Sequence, residues 1–284
     1  MGLLLALGAA MAYGLSDFLG GLMSRRGSPW AIALLAQIVS AAAVTVAAVT
    51  VAAVTVAADL TTADLAWGAA SGIGSGLGTA FLYRGLASGQ MNVVAPLSAV
   101  GAALLPVVVG VIIGERPSIW AWVGISCALP AIWLVSRGGE DIAARSGRSA
   151  GIRDGLLAGA SFGLLFVALG QVPESAGLWP TALGQVVAVV VIGLGVLLVK
   201  APVRNTERAV AMVAFGVGLC AALATVLYQL AARSQLVSLA AVVTSLYPAL
   251  TVTLAAIVLH ERVNRVQAAG LGLAAAAVTL VAVG

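Results

Sequence analysis

Apolar residues in this chain run in long blocks instead of alternating with polar ones. Each block is about as long as a helix needs to be to cross hydrocarbon, roughly 20 residues at 1.5 Å rise. The blocks fall at 3–23, 30–57, 63–86, 92–113 and 118–136, then at 152–170, 178–199, 208–232, 238–258 and 264–283. Backbone amides in lipid must be satisfied within their own segment, so each block predicts a transmembrane helix. The expected fold class is an all-α integral membrane protein with ten transmembrane helices. Between the two sets lies the most polar stretch, 137–153, with Glu140, Asp141, Arg145 and Arg148. It reads as a linker between two units, 1–138 and 150–284.

The two units echo one another. The end of the fourth block reads VVAPLSAVGAALLPVVVGVIIGERP, and the ninth reads LAAVVTSLYPALTVTLAAIVLHERV, which aligns Glu115-Arg116 with Glu261-Arg262. Tyr13-Gly14 pairs with Phe162-Gly163, and Trp30 with Trp179, in the same order. Five spans is an odd number, so a second copy must enter the membrane from the opposite side. The expectation is therefore two inverted five-helix repeats, an arrangement secondary transporters use to build a central site with alternating access.

Composition removes the soluble alternatives. Hydrophobic residues make up 62% of the 284 and charged residues only 8%, with a mean hydropathy of +1.12. A soluble domain is about one-quarter charged. The net charge of +4 does not point to nucleic acid, because the basic residues sit in short connections and report orientation. Arg25, Arg26, Arg84, Arg137, Arg145, Arg148, Arg153, Lys200, Arg204, Arg208, Arg262 and Arg265 fall at odd-numbered connections, whereas Arg116 and Arg233 fall at even-numbered ones. By the positive-inside rule the odd connections face the cytoplasm and both termini lie outside, in a multi-pass protein of the cell (inner) membrane. The opening run 1–12 has no basic residue before it and is echoed by a later span, so it reads as a helix and not as a secretory leader.

The paired GER and HER ends, the APLSAV segment with its counterpart TSLYPALTV, and the two five-helix halves resemble the EamA branch of the drug/metabolite transporter superfamily. The resemblance covers nearly the whole chain. It implies a ten-helix basket in which the third, fourth, eighth and ninth spans line much of a substrate cavity. The acidic connection from Asp59 to Asp64 departs from many relatives, which carry basic residues there.

Candidate chemistry is sparse. Asp17 is read as the only acidic residue clearly within a span, where a carboxylate costs roughly 2.5–3.5 kcal/mol to insert and calls for a partner or a purpose. It shares a helix face with Tyr13. One reading pairs it with Arg84 as a fastening between two helices. The other gives it a role in substrate or proton binding, as a first-helix carboxylate has in the small multidrug-resistance relatives that the resemblance brings in.

Further polar and aromatic residues within spans are Gln37, Tyr83, Asn92 and Ser98, then Gln185, Tyr228, Gln229, Thr244, Ser245 and Tyr247. They can hydrogen-bond between helices or offer a substrate surface with phenol rings. The expected substrate-binding set is Tyr13, Asp17, Gln37, Tyr83, Ser98, Tyr228, Gln229, Thr244 and Tyr247. Pro96, Pro106 and Pro248 would interrupt helix ladders nearby. Small residues from Ser71 to Gly78 predict close helix contact. Thr45, Thr50 and Thr55 recur every five residues, about 140° apart on a helix, and share no face.

Cys127 and Cys220 lie in apolar surroundings, and His260 is the single histidine with Asn at 264, so neither a disulfide nor a metal site is expected. Neither an enzyme constellation nor a nucleotide-binding loop is present. The expected function is a secondary transporter, an exporter of small metabolites, amino acids or drugs, driven by protons or exchange, without cofactors and acting as a monomer. The alternative is a non-transporting membrane sensor or scaffold.

Overall fold

The computed structural model describes residues 1–24, 27–54, 58–87, 91–135, 148–203, 208–258 and 264–283. The 137–147 part of the linker, the Glu261-Arg262 pair, His260 and Thr55 lie outside these, as do the side chains of Asn92 and Pro96.

The described residues form α1 (Gly2–Ser24), α2 (Pro29–Val54), α3 (Thr62–Ala87), α4 (Met91–Ile112), α5 (Ile119–Val135), α6 (Arg148–Gly170), α7 (Trp179–Leu198), α8 (Arg208–Ser234), α9 (Val237–Thr244), α10 (Tyr247–Val258) and α11 (Arg265–Val283). A single 3-10 turn, Glu174–Ala176, joins α6 to α7, and no strand occurs among the described residues. Seven segments are long and apolar enough to cross a membrane, with Val237–Val258 counted as one; Leu97–Ile112 and Ile119–Val135 are shorter apolar helices.

Large apolar side chains face outward, among them Leu4, Trp120, Leu156, Leu194 and Leu223, while the interior is rich in alanine and glycine. This distribution suits lipid, which gives large side chains no reason to hide and rewards small residues where helices meet. The helix α3 shows how the sequence arranges that. On one face, a methyl group at Gly68 or Gly72 would land on the carbonyls of Pro180 and Gly184 in α7. On another, one at Gly74 would strike the α6 backbone at Ser161 and Leu165. The small-residue run thus wedges α3 between α6 and α7.

Helix starts are capped by short polar motifs. Thr61 and Asp64 cap α3 reciprocally: the Asp64 carboxylate accepts from the Thr61 amide at 2.9 Å and the Thr61 hydroxyl at 2.7 Å, and the Asp64 amide donates to that hydroxyl at 3.2 Å. Asn264 and Gln267 do the same for α11. The acid at position 64 therefore serves the start of its own helix.

Each major packing pair has a counterpart. The contact of α1 with α8 is matched by α6 with α3, α2 with α8 by α7 with α3, and α1 with α9 and α10 by α6 with α4. The helices α2 and α7 pack on each other, as do α5 and α11. The ninth apolar block is interrupted between Thr244 and Tyr247. Pro248 has no amide hydrogen to give Thr244, and the chain instead tightens through Leu246 N–H to Val243 O at 3.2 Å and Ala249 N–H to Leu246 O at 2.9 Å.

Two contacts join the chain's halves near opposite ends of the bundle. At the end where α3 finishes and α6 begins, Arg84 meets Asp154. At the other, Glu115, just beyond α4, accepts from the first amides of α9, Val237 at 2.6 Å and Ser238 at 3.1 Å. Glu115 is thus a helix cap as well as an interfacial charge, and Arg116 turns back to the Glu115 carbonyl at 2.9 Å.

Candidate functional site

A cavity opens among α1, α2, α3, α6, α7 and α8, with about 570 Å³ of space counted to its mouth. From α1 it receives Tyr13, Ser16 and Asp17; from α2, Ala33, Ala36, Gln37 and Ser40; from α3, Ser75, Thr79, Leu82 and Tyr83. Phe162 and Leu165 of α6, Gln185 of α7, and Val217, Ala221 and Thr225 of α8 complete it.

Its polar side chains form a connected wall. The Gln37 amide donates to Gln185 Oε1, and the Ser40 hydroxyl donates to the same oxygen at 3.2 Å. Gln185 Nε2 donates to Thr225 Oγ1 at 3.3 Å, and the Tyr13 and Thr225 hydroxyls lie 3.1 Å apart. Thr225 also donates to its own helix, at the Ala221 carbonyl. Four helices are thereby cross-linked at membrane depth, where unpaired amides are costly. Tyr83 reaches across from α3, its hydroxyl seated over Gly20 of α1, where a methyl group would come within 2.5 Å.

Asp17 stands apart from this wall. It lines the cavity, and among the described residues it takes part in no hydrogen bond or ion pair. Fastening to Arg84 is corrected by the structure. Arg84 is held by Asp154 of α6, with Nε to Oδ2 at 3.0 Å and Nη2 to Oδ1 at 2.5 Å, and it lies 5.0 Å over the Phe81 ring. Asp154, 4% exposed, is therefore a buried acid within a helix, which the sequence reading of Asp17 as the sole one within a span missed. Its position three residues into an apolar block was the available signal. Among the described residues no Lys, Arg or His lines the cavity.

Of the nine expected substrate residues, Tyr13, Asp17, Gln37 and Tyr83 meet at this cavity. Ser98, Tyr228, Gln229, Thr244 and Tyr247 lie behind it in packed layers. Tyr228 donates to the Phe166 carbonyl at 2.8 Å, with the two rings 4.3 Å apart. Gln229 accepts from Thr181 at 2.6 Å, Thr244 donates to Ala6 O at 3.4 Å, and Tyr247 is hydrogen-bonded to Ser98. Tyr13 joins the layers, its ring 6.2 Å from Phe166 and 6.5 Å from Tyr247. The lining comes from the third and eighth spans as the resemblance implied, but from the first, second, sixth and seventh in place of the fourth and ninth. Ser16, Ser40, Ser75, Thr79 and Thr225 were not singled out, because a hydroxyl in an apolar block can equally bond its own helix, as Thr45 and Thr50 do.

Among the described residues no group of three or more His, Cys, Asp or Glu side chains comes together, and both cysteines are free. A sequence model of the EamA-like transporter family matches residues 1–137 and again residues 150–283. No curated protein matches the chain. A solved structure, described only as a crystal structure of a protein, superposes with a TM-score of 0.73 at 16% identity, covering 96% of this chain and 94% of that one. At that identity the likeness concerns the fold.

Proposed function

Because this chain belongs to the EamA-like transporter family, with both of its halves matched, we propose that it is a secondary carrier that moves small solutes by alternating access through the Asp17 cavity. The observation that carries this reading is the composition of the cavity wall. Helices α1, α2 and α3 of one half face α6, α7 and α8 of the other across it, so a rocking of the halves would expose its contents to one side at a time. The reciprocal packing pairs support a ten-span, inverted five-plus-five arrangement in which α9 and α10 form one broken span.

In this reading Tyr13, Asp17, Gln37 and Tyr83 contact the solute directly. Ser98, Tyr228, Gln229, Thr244 and Tyr247 hold the wall that Tyr13 leans on. Asp17 is the single carboxylate among the lining residues and is the group through which a proton gradient would drive the cycle. The protein works as a monomer in the cell's inner membrane, exporting its solute, with the Arg-rich connections in the cytoplasm and both termini outside. A C-terminal reporter active only in the cytoplasm tests the orientation and should stay silent.

The test of the carrier reading is counterflow in proteoliposomes. Vesicles preloaded with unlabelled solute should accumulate the labelled form, with and without a pH gradient, and Tyr83→Ala should reduce the rate at least about tenfold. A folded protein that moves none of a broad panel of amines, amino acids and neutral metabolites would shift the assignment to a sensor or scaffold.

A further inference from the structure

Resting on the reading of this cavity as the solute site, we infer that it takes carboxamides and ureas, which give N–H protons to a wall built by α1, α2 and α8 and receive protons from α3. What decides the class is where each hydroxyl proton on that wall already goes. A hydroxyl has one proton to give and two lone pairs to receive with.

Thr225 fixes the pattern. Its oxygen lies 2.8 Å from the Ala221 carbonyl, 3.1 Å from the Tyr13 hydroxyl and 3.3 Å from Gln185 Nε2. A carbonyl can only accept, so the Thr225 proton goes to Ala221, the nearest of the three. Tyr13 must then donate to Thr225, and Gln185 must turn its nitrogen there and its oxygen toward α2. That oxygen takes the Ser40 proton at 3.2 Å and one proton of the Gln37 amide. Ser16 gives its proton to the Val217 carbonyl at 3.3 Å. The Tyr13, Ser16 and Ser40 hydroxyls therefore line the cavity with lone pairs and no proton to spare. Each glutamine amide keeps one N–H, and Asp17 adds its carboxyl oxygens on the same side.

The helix α3 is the complement. Ser75, Thr79 and Tyr83 recur every four residues, which sets them on one helix face, and all three line the cavity. Among the described residues none of their hydroxyls is hydrogen-bonded, so each still has its proton to give. A carboxamide meets both sides with one group, its N–H toward the spent hydroxyls and its carbonyl toward α3. A ketone, ester or ether brings no proton to the first wall and sets lone pairs against lone pairs there, which forfeits the hydrogen bond and its energy.

Benzamide and acetophenone test this, because they share ring, carbonyl and shape and differ only in an amino group against a methyl. In calorimetric titration of the purified protein benzamide should bind at least about fivefold more tightly, the ratio that one modest hydrogen bond supplies, although it is the less apolar of the two. Neither probe is charged, so the Asp17 charge stays out of the comparison. Tyr13→Phe removes one accepting oxygen and should weaken benzamide at least about threefold while leaving acetophenone within about twofold. Thr225→Val should do the opposite to the wall. With nothing to receive it, the Tyr13 proton turns to the cavity, and acetophenone should gain at least about threefold. Loss of packing alone would give no such gain, and Tyr13→Phe carries the test should the Val variant fail to fold. Thr279→Val in α11, which supplies none of the lining residues, should change neither affinity. Equal affinities, preference for acetophenone, absence of binding by both probes, a folded Thr225→Val variant without the gain, or a folded Tyr13→Phe variant with benzamide unmoved would each overturn the inference. Counterflow of labelled benzamide separates it from the carrier reading. Preference for benzamide without exchange across the bilayer removes the carrier and keeps the selectivity. Exchange of solutes without that preference does the reverse.

Discussion

Gln37 gives its side-chain amide to the carbonyl oxygen of Gln185, and the two residues occupy similar places in the two halves, LLAQIV and ALGQVV. The same oxygen takes the Ser40 hydroxyl, and the other end of Gln185 reaches Thr225. Gln185→Leu is therefore expected to strand the Gln37 amide and to cost about 1–2 kcal/mol of stability, near the upper end for polar contacts between helices in lipid. Thermal unfolding in detergent measures it. The double variant Gln37→Leu with Gln185→Leu should lose less than the sum of the two single changes, and strict additivity would show that the pair does not act as one.

The Arg84–Asp154 pair joins α3 to α6, with Arg84 41% exposed and Asp154 6% exposed at their side chains. Solvent screening at the arginine keeps its net worth to about 1 kcal/mol. Asp154→Asn should lower the melting temperature and make it less sensitive to salt. Arg84→Gln should cost less, because Arg153 stands 3.7 Å from the same carboxylate and can take its place. Equal losses from the two variants would argue against that substitution.

Glu115 closes the start of α9 from the far half of the sequence. Removing it in Glu115→Ala leaves the Val237 and Ser238 amides uncapped, at about 1 kcal/mol. Hydrogen exchange at those two amides should accelerate, while exchange in the middle of α8 stays unchanged. Unaltered exchange at Val237 would mean that the contact does not hold the helix end.

Gly72 and Gly193 make a matched pair of controls. A side chain at Gly72 runs into the Gly184 carbonyl, whereas one at Gly193 meets nothing within 4 Å. Gly72→Leu should force α3 away from α7, costing about 1–3 kcal/mol or preventing folding, and Gly193→Leu should be tolerated. Melting temperatures of the two variants decide it, and similar values would remove the close-packing explanation of the α3 glycines.

Much of this was legible before any coordinates. The apolar blocks predict the helix positions closely, because a lipid environment leaves a backbone few alternatives to helix. The polar residues at Tyr13, Asp17, Gln37 and Tyr83 stand out for the same reason, since each is costly in a span. Their partners were harder to see. Asp154 lies 70 residues from Arg84 and Glu115 lies 122 from Val237, and no periodicity within one helix reports a contact between helices. The split between cavity residues and packed ones also escaped the sequence. Tyr228 and Tyr83 are the same residue type and both are buried, yet one donates to the Phe166 carbonyl and the other lines the cavity.

Gly20 carries a consequence of a different order. With no side chain there, the Tyr83 hydroxyl can lie against α1 and leave the cavity wide. A single added methyl would come within 2.5 Å of that hydroxyl and force the phenol to shift, reshaping the chamber it lines. The caliber of the site is thus tunable at a residue that never touches its contents. Related chains can acquire a new diet by one base change in a glycine codon, without disturbing the carboxylate or the fold around it.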